Sequence, residues 1–182
     1  MFTSPFEKIT KRTEKKFTYS VLYLLIISVI VMRYFDRFLI NEITPHGIIS
    51  FELAGTLERA VEIINSWPTL AKTYAGLSLG YDFLFLILYT SFIAILIHKL
   101  NQRLWKDKPF YRIGELLIWA MFFAAIFDTV ENASLIKLLI GARQQFWVSV
   151  AYYFAIAKFL LVIIGILYVI VNSLLLLTKK KS

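Results

Sequence analysis

The sequence predicts an all-α membrane protein, an antiparallel bundle of four transmembrane helices with an amphipathic helix in the first exoplasmic connection. Three observations lead to that reading. The 182 residues are 59% hydrophobic, with a mean hydropathy of +0.69, and the excess is gathered into runs rather than spread evenly. Basic residues cluster beside those runs. A few ionisable residues lie deep inside them, where a charge costs ~2.5–3.5 kcal/mol on insertion scales unless it is paired, neutralised or hydrated.

The first span covers about residues 17–40 and follows a basic start. No small-x-small cleavage site follows its apolar part; Arg33-Tyr34-Phe35-Asp36-Arg37 does. An uncleaved anchor is the expectation. The connection at about residues 41–72 opens on a turn signal, Thr44-Pro45-His46-Gly47. Residues 48–67 then read as one amphipathic helix. Leu53, Leu57, Ala60, Val61 and Ile64 recur at three- and four-residue steps, Glu52, Glu58, Arg59 and Glu62 take the other sides, and Pro68 ends it. Such a helix lies on the outer interface or caps the bundle, with the interfacial placement the more common.

The second span covers about residues 73–97, the third about 113–140 and the fourth about 148–177. Each run is about 24 to 30 residues long against a need for ~20, so tilt or protruding helix ends are expected. The short connection at Gly141 to Trp147 makes the third and fourth helices antiparallel neighbours. A single integral membrane domain occupies residues 1–182.

The net charge of +8 does not point to nucleic acid, because the basic residues flank apolar runs. Lys8, Lys11, Arg12, Lys15 and Lys16 precede the first run. Lys99, Arg103, Lys106, Lys108 and Arg112 fill the second connection, and Lys179, Lys180 and Lys181 close the chain. The positive-inside rule then places both termini in the cytoplasm of a multi-pass cell-membrane protein, with membrane lipids as its first partners. The chain has no cysteine, which removes disulfides and thiolate chemistry. His46 and His98 lie far apart, which argues against a histidine metal site. No metal or cofactor is expected.

The candidate site comes from the buried charges. At ~1.5 Å of rise per residue, Asp82 lies ~15 Å below the outer end of its helix, Lys158 ~16 Å, Glu131 ~14 Å and Asp128 ~18 Å. Three helices thus place ionisable groups in one layer of the outer half. Asp128, Glu131 and Asn132 share one helix face; Ser78, Asp82 and Tyr89 share another; Phe154, Lys158 and Gly165 share a third. Arg33 is close enough to snorkel into the same layer. Asp36 and Arg37 read as flank residues, and His98 reads as a snorkelling interfacial residue. Asn172 and Ser173 suggest a helix–helix hydrogen bond. The tyrosines and tryptophans, Trp67 included, read mostly as an interfacial belt.

Three segments, Gly47-Ile-Ile-Ser-Phe-Glu-Leu-Ala-Gly-Thr56, Tyr81-Asp-Phe-Leu-Phe85 and Phe127-Asp-Thr-Val-Glu-Asn132, resemble those of a family of uncharacterised four-span bacterial integral membrane proteins. The resemblance implies a bacterial inner membrane and adds Glu52 to Asp82, Asp128 and Glu131 as residues of interest. A fainter similarity, to the sigma-2 receptor and sterol isomerase group, carries no residues across because the order of motifs differs.

Four functions remain open at this point. The leading one is binding of a lipid or small amphiphile in an outward-facing polar pocket formed by Asp82, Asp128, Glu131, Asn132 and Lys158 under the Glu52 helix. The second is an intramembrane isomerase or hydrolase with Asp128 and Glu131 as the catalytic acid/base pair. The third is a structural or accessory subunit, partnered by another membrane protein or by a second copy, whose charges only hold helices together. An ion path is the fourth, short of polar groups in the inner half.

Overall fold

The computed structural model describes residues 4–179, which form six helices and no strand. They are α1 (Lys11–Asp36), α2 (Ile48–Glu52), α3 (Leu57–Ser66), α4 (Thr69–Leu104), α5 (Tyr111–Leu139) and α6 (Gln145–Lys179). The four long helices, α1, α4, α5 and α6, are each long and apolar enough to cross a bilayer. The bundle therefore has a basic end, which carries the start of α1, the α4–α5 connection and the end of α6. The opposite end carries α2 and α3 and is called the lid end below. Lys180 and Lys181 fall outside the described residues.

Particular residues set several of the long-helix ends. Thr10 caps α1 by accepting from the Thr13 N–H (3.3 Å). Pro68 fixes the chain entering α4. Gly141, at φ +114°, turns the chain out of α5 in a conformation that other residues resist.

The central helix is α4, which packs on α1, α5 and α6, while α1 leans on α4 and barely meets α6. Small residues allow the closest approaches. Ala94, Ala124 and Ala155 have no exposed surface, and a methyl group on Gly165 would come within 2.9 Å of the Met121 side chain. The α1–α4 seam is aromatic at the lid end, where Phe38 stacks on Tyr74 with centroids 3.9 Å apart. Midway, Ser28 and Tyr81 share a hydrogen bond of 3.1 Å.

The connection between α1 and α4 differs from its sequence reading. It is not one helix over 48–67 but two short ones, broken between Glu52 and Leu57. Gly55 at φ +72° makes the break, and Thr56 then caps α3 through the Arg59 N–H (3.2 Å). Gln145 at the head of α6 pins the break from above: its side chain accepts from the Leu57 N–H (2.7 Å) and donates to the Gly55 carbonyl (3.0 Å). The helical periodicity survived the break, so the sequence pattern concealed it. The pair is a cap on the bundle, not an interfacial helix. Phe51, Ile63 and Trp67 pack with Leu79, Leu135 and Val148 from α4, α5 and α6. Trp67 is accordingly core rather than belt; its indole donates to the Leu39 carbonyl (3.0 Å).

At the basic end a second polar group joins the helices. Asn101 donates to the Tyr111 carbonyl (2.9 Å) and accepts from Tyr168 (3.0 Å). Trp105 donates to Asn172 (2.6 Å), realising the expected interhelical hydrogen bond. Gly114 makes room for the Asn101 carboxamide, which a Cβ there would overlap. Gly114→Ala is therefore expected to lower stability by about 1–3 kcal/mol in mixed-micelle unfolding. Gly80→Ala, which meets nothing within 4 Å, should be neutral or stabilising by up to about 1 kcal/mol.

Candidate functional site

Six positions on α4, α5 and α6 meet beneath the cap. Lys158 of α6 donates to Asp128 Oδ1 (2.8 Å) and Glu131 Oε1 (2.9 Å), both on α5. The second oxygen of Glu131 lies 2.8 Å from the same ammonium. Glu52, at the end of α2, brings a third carboxylate to 3.7 Å. Asp128 also accepts from the Tyr89 hydroxyl of α4 (2.8 Å). Asn132, one turn beyond Asp128, donates to Asp82 of α4 (2.6 Å). Lys158 is 5% exposed and Glu131 0%, so the ammonium has exchanged its water for carboxylates.

The local sequence explains the meeting. Asp128, Glu131 and Asn132 fall at i, i+3 and i+4 and point to one side of α5. Tyr89 is two turns beyond Asp82 on α4, so both face α5 and the space beside it. Ala155 and Ala151, each buried on α6, let that helix close on α5 and bring the lysine within reach.

A cavity of about 400 Å³ adjoins the cluster. Arg33, Asp36 and Glu52 line it at the lid end, and Ser78, Asp82, Asp128, Tyr89 and Lys158 line it midway. Apolar side chains complete the wall: Met32, Ile48 and Ile49 beside the lid-end charges, Val29 and Phe85 midway, and Ile93, Phe159, Val162 and Ile166 toward the basic end. Val29 of α1 and Ile166 of α6 are 43% and 41% exposed. The cavity thus opens sideways between α1 and α6, on the surface a bilayer would cover.

The structure brings Asp82, Asp128, Glu131, Asn132, Lys158 and Glu52 into one cluster, but not equally onto the cavity. Glu131 and Asn132 stand behind Lys158 and Asp82 and do not line it. An acid/base pair of Asp128 and Glu131 could not both touch a bound molecule, because Glu131 is sealed. Arg33 does not enter the charge layer: its side chain is 80% exposed and it sits 3.9 Å from Asp36 at the rim. Asp36 is more than a flank residue. Its carboxylate caps α2 through the Ile48 N–H (2.8 Å) and fills the space a Cβ on Gly47 would need. Gly47 holds φ +57°, so the contact fastens the top of α1 to the cap. His98 is buried against Phe6 instead of snorkelling, with ring centroids 5.7 Å apart.

Two groups escaped the sequence reading. Tyr89 shares the Asp82 face, but that it holds Asp128 required coordinates. Glu115, buried beside Asn101 and Tyr111, stands just past the first turn of α5, where an acid reads as an ordinary end residue.

Fold and cluster define a polytopic helical bundle with a multi-helix ionic centre beside a laterally open, capped cavity. Comparison with protein-family models, with curated proteins and with solved structures finds no match.

Burial raises the proton affinity of Glu52 above the usual 4.5, against the opposing pull of Lys158. Its folded form is favoured below that value, and the advantage is lost as pH rises through the higher folded value. Glu52→Gln should therefore stabilise the protein relative to wild type at pH 8 and leave it unchanged at pH 4, by thermal unfolding in detergent. Lys158→Met, which strands buried carboxylates, should cost about 3–5 kcal/mol. Adding Asp128→Asn and Glu131→Gln should restore at least about half of that loss in the same assay, because neutral replacements of buried ion pairs are tolerated.

Proposed function

We propose that the protein binds a lipid or small amphiphile in this cavity, entering sideways from the bilayer between α1 and α6. The carrying observation is the gradient of charge along the wall: every charged side chain lies under the cap or midway, and the stretch toward the basic end, at Ile93, Val162 and Ile166, is wholly apolar. An amphiphile matches that gradient, with its head among the charges and its tail along Val29, Val162 and Ile166. Four carboxyl groups line the space (Asp36, Glu52, Asp82 and Asp128) against Arg33 and Lys158. Lys158 is already engaged by three acids. A head that donates hydrogen bonds or carries positive charge fits this excess of acceptors better than an anion.

The described basic clusters sit at one end and the cap at the other, which supports cytoplasmic termini and an exoplasmic cap. The cavity then lies in the outer half. The segments that resemble the four-span bacterial family supply Glu52, Asp82 and Asp128 to its wall.

An enzyme reading has one favouring observation. Asp128 lines the cavity and is bonded to both Tyr89 and Lys158, a proton-transfer chain within reach of a bound head. It selects no bond to be made or broken, so binding is the reading preferred.

Native mass spectrometry from mild detergent tests the binding site. Wild type should retain an adduct of lipid mass. Val162→Trp, which fills the apolar floor, should lower its occupancy about tenfold, the equivalent of ~1.4 kcal/mol, whereas Leu167→Trp on the exposed face of α6 should not. Equal retention by both variants would dismiss the cavity as the binding site.

A further inference from the structure

A second cavity, of about 580 Å³, lies at the basic end, far from the ionic centre. The chain before α1, the start of α1, the last turns of α4, the α4–α5 connection and the first turn of α5 enclose it. Its floor includes His98. That ring is 4% exposed, packed at a tilt of 53° on Phe6, and its Nδ1 has no hydrogen-bond partner. A buried polar group in a native fold ordinarily has a partner, so an imidazole nitrogen without one beside a cavity points to something that completes it. Beside it, Gln102 donates to the Tyr111 hydroxyl (2.6 Å), which places a second polar pair on the wall.

The rim is cationic. Lys11, Lys106, Lys108 and Arg112 reach it from three separate elements. Three acids also line it, but Glu14 is engaged by Lys99 at 3.5 Å, which leaves Glu7 and Asp107 against four cations. Lys108 is held over the Trp105 ring at 5.6 Å, so one of the cations is positioned rather than free to swing. Asp107 takes φ +65°, a left-handed conformation that carries the connection around the cavity mouth.

We propose that this cavity binds a phosphate group, with the rim cations supplying charge and the buried His98 ring supplying a directed polar contact. The group can be carried by an anionic lipid head at the membrane surface or by a small soluble molecule; the chemistry of recognition is the same. Four cations around one buried imidazole suit a compact anion that accepts several hydrogen bonds, and the volume admits the group with the head that bears it. The inference is independent of the amphiphile cavity.

The chain has two histidines, His46 and His98, and His46 is exposed at the lid end. Each can therefore be followed in the full-length protein, ring-labelled with nitrogen-15, in nanodiscs at fixed pH. Phosphatidic acid is added to phosphatidylcholine discs in one arm, and inorganic phosphate to phosphatidylcholine discs in the other. Saturable movement of the His98 signals, with His46 still, supports the site. Movement with phosphatidic acid alone assigns a lipid head; movement with inorganic phosphate assigns a soluble phosphate. Lys108→Gln with Arg112→Gln, both exposed, should weaken the response about tenfold. A motionless His98 in both arms, parallel movement of both histidines, or an undiminished response in the double variant overturns the proposal.

Discussion

One ammonium organises the lid half of this bundle. Lys158 extends from α6 into the bundle, where only 5% of it stays exposed, and three carboxylates from α5 and α2 approach it within 4 Å. An unpaired charge there would be prohibitive, so the helices that supply its partners are constrained in rotation and height together. Small residues on α6 make the approach sterically feasible, and the cap brings Glu52 down as the third carboxylate. Asp128 extends the constraint to α4 through Tyr89, and Asn132 repeats it through Asp82. The helices of the three-helix core are thereby fastened by polar contacts that apolar packing in lipid does not supply, since lipid tails are as apolar as leucine.

The fourth long helix follows a different rule. α1 leans on α4 through aromatic stacking and a Ser28–Tyr81 hydrogen bond and takes no part in the ionic centre. It is fastened at its top by the Asp36 contact to the cap and near its start by Lys99, which donates to Thr18 (2.9 Å). Between those two ties it stands away from α6. That separation is the physical origin of the side opening, and it explains why the charged wall and the apolar wall belong to one cavity. A closed four-helix core would have sealed the same charges with no access.

The legible part of this architecture was periodic or electrostatic. Four apolar runs announced four helices, and helix rise alone put Asp82, Asp128, Glu131 and Lys158 at one height. The i, i+3, i+4 spacing gave the shared face of Asp128, Glu131 and Asn132. What escaped depended on rotation and long-range contact. Rise gives height but not which neighbour a side chain meets, so Glu131 read as a participant on the cavity and proved to stand behind it. The Gly55 break was invisible because the apolar pattern stays in phase across it. His98 looked interfacial because the sequence could not show the chain before α1 folding back to cover it with Phe6. Asp36 looked ordinary because its partner, the Ile48 N–H, is a backbone group beyond a turn.

The most direct test of the account is the distance between the Lys158 ammonium and the carboxyl groups around it. Solid-state NMR of protein in lipid, with nitrogen-15 lysine and carboxyl-labelled Asp and Glu, measures it by dipolar dephasing. The Lys158 signal is assigned by its loss in Lys158→Arg. Strong dephasing by two carboxyl groups in direct hydrogen-bond contact, one lost in Asp128→Asn and the other in Glu131→Gln, is the predicted result. A Lys158 ammonium with no carboxyl in contact, or one that exchanges freely with bulk water, would contradict the ionic centre and with it the cavity that depends on it.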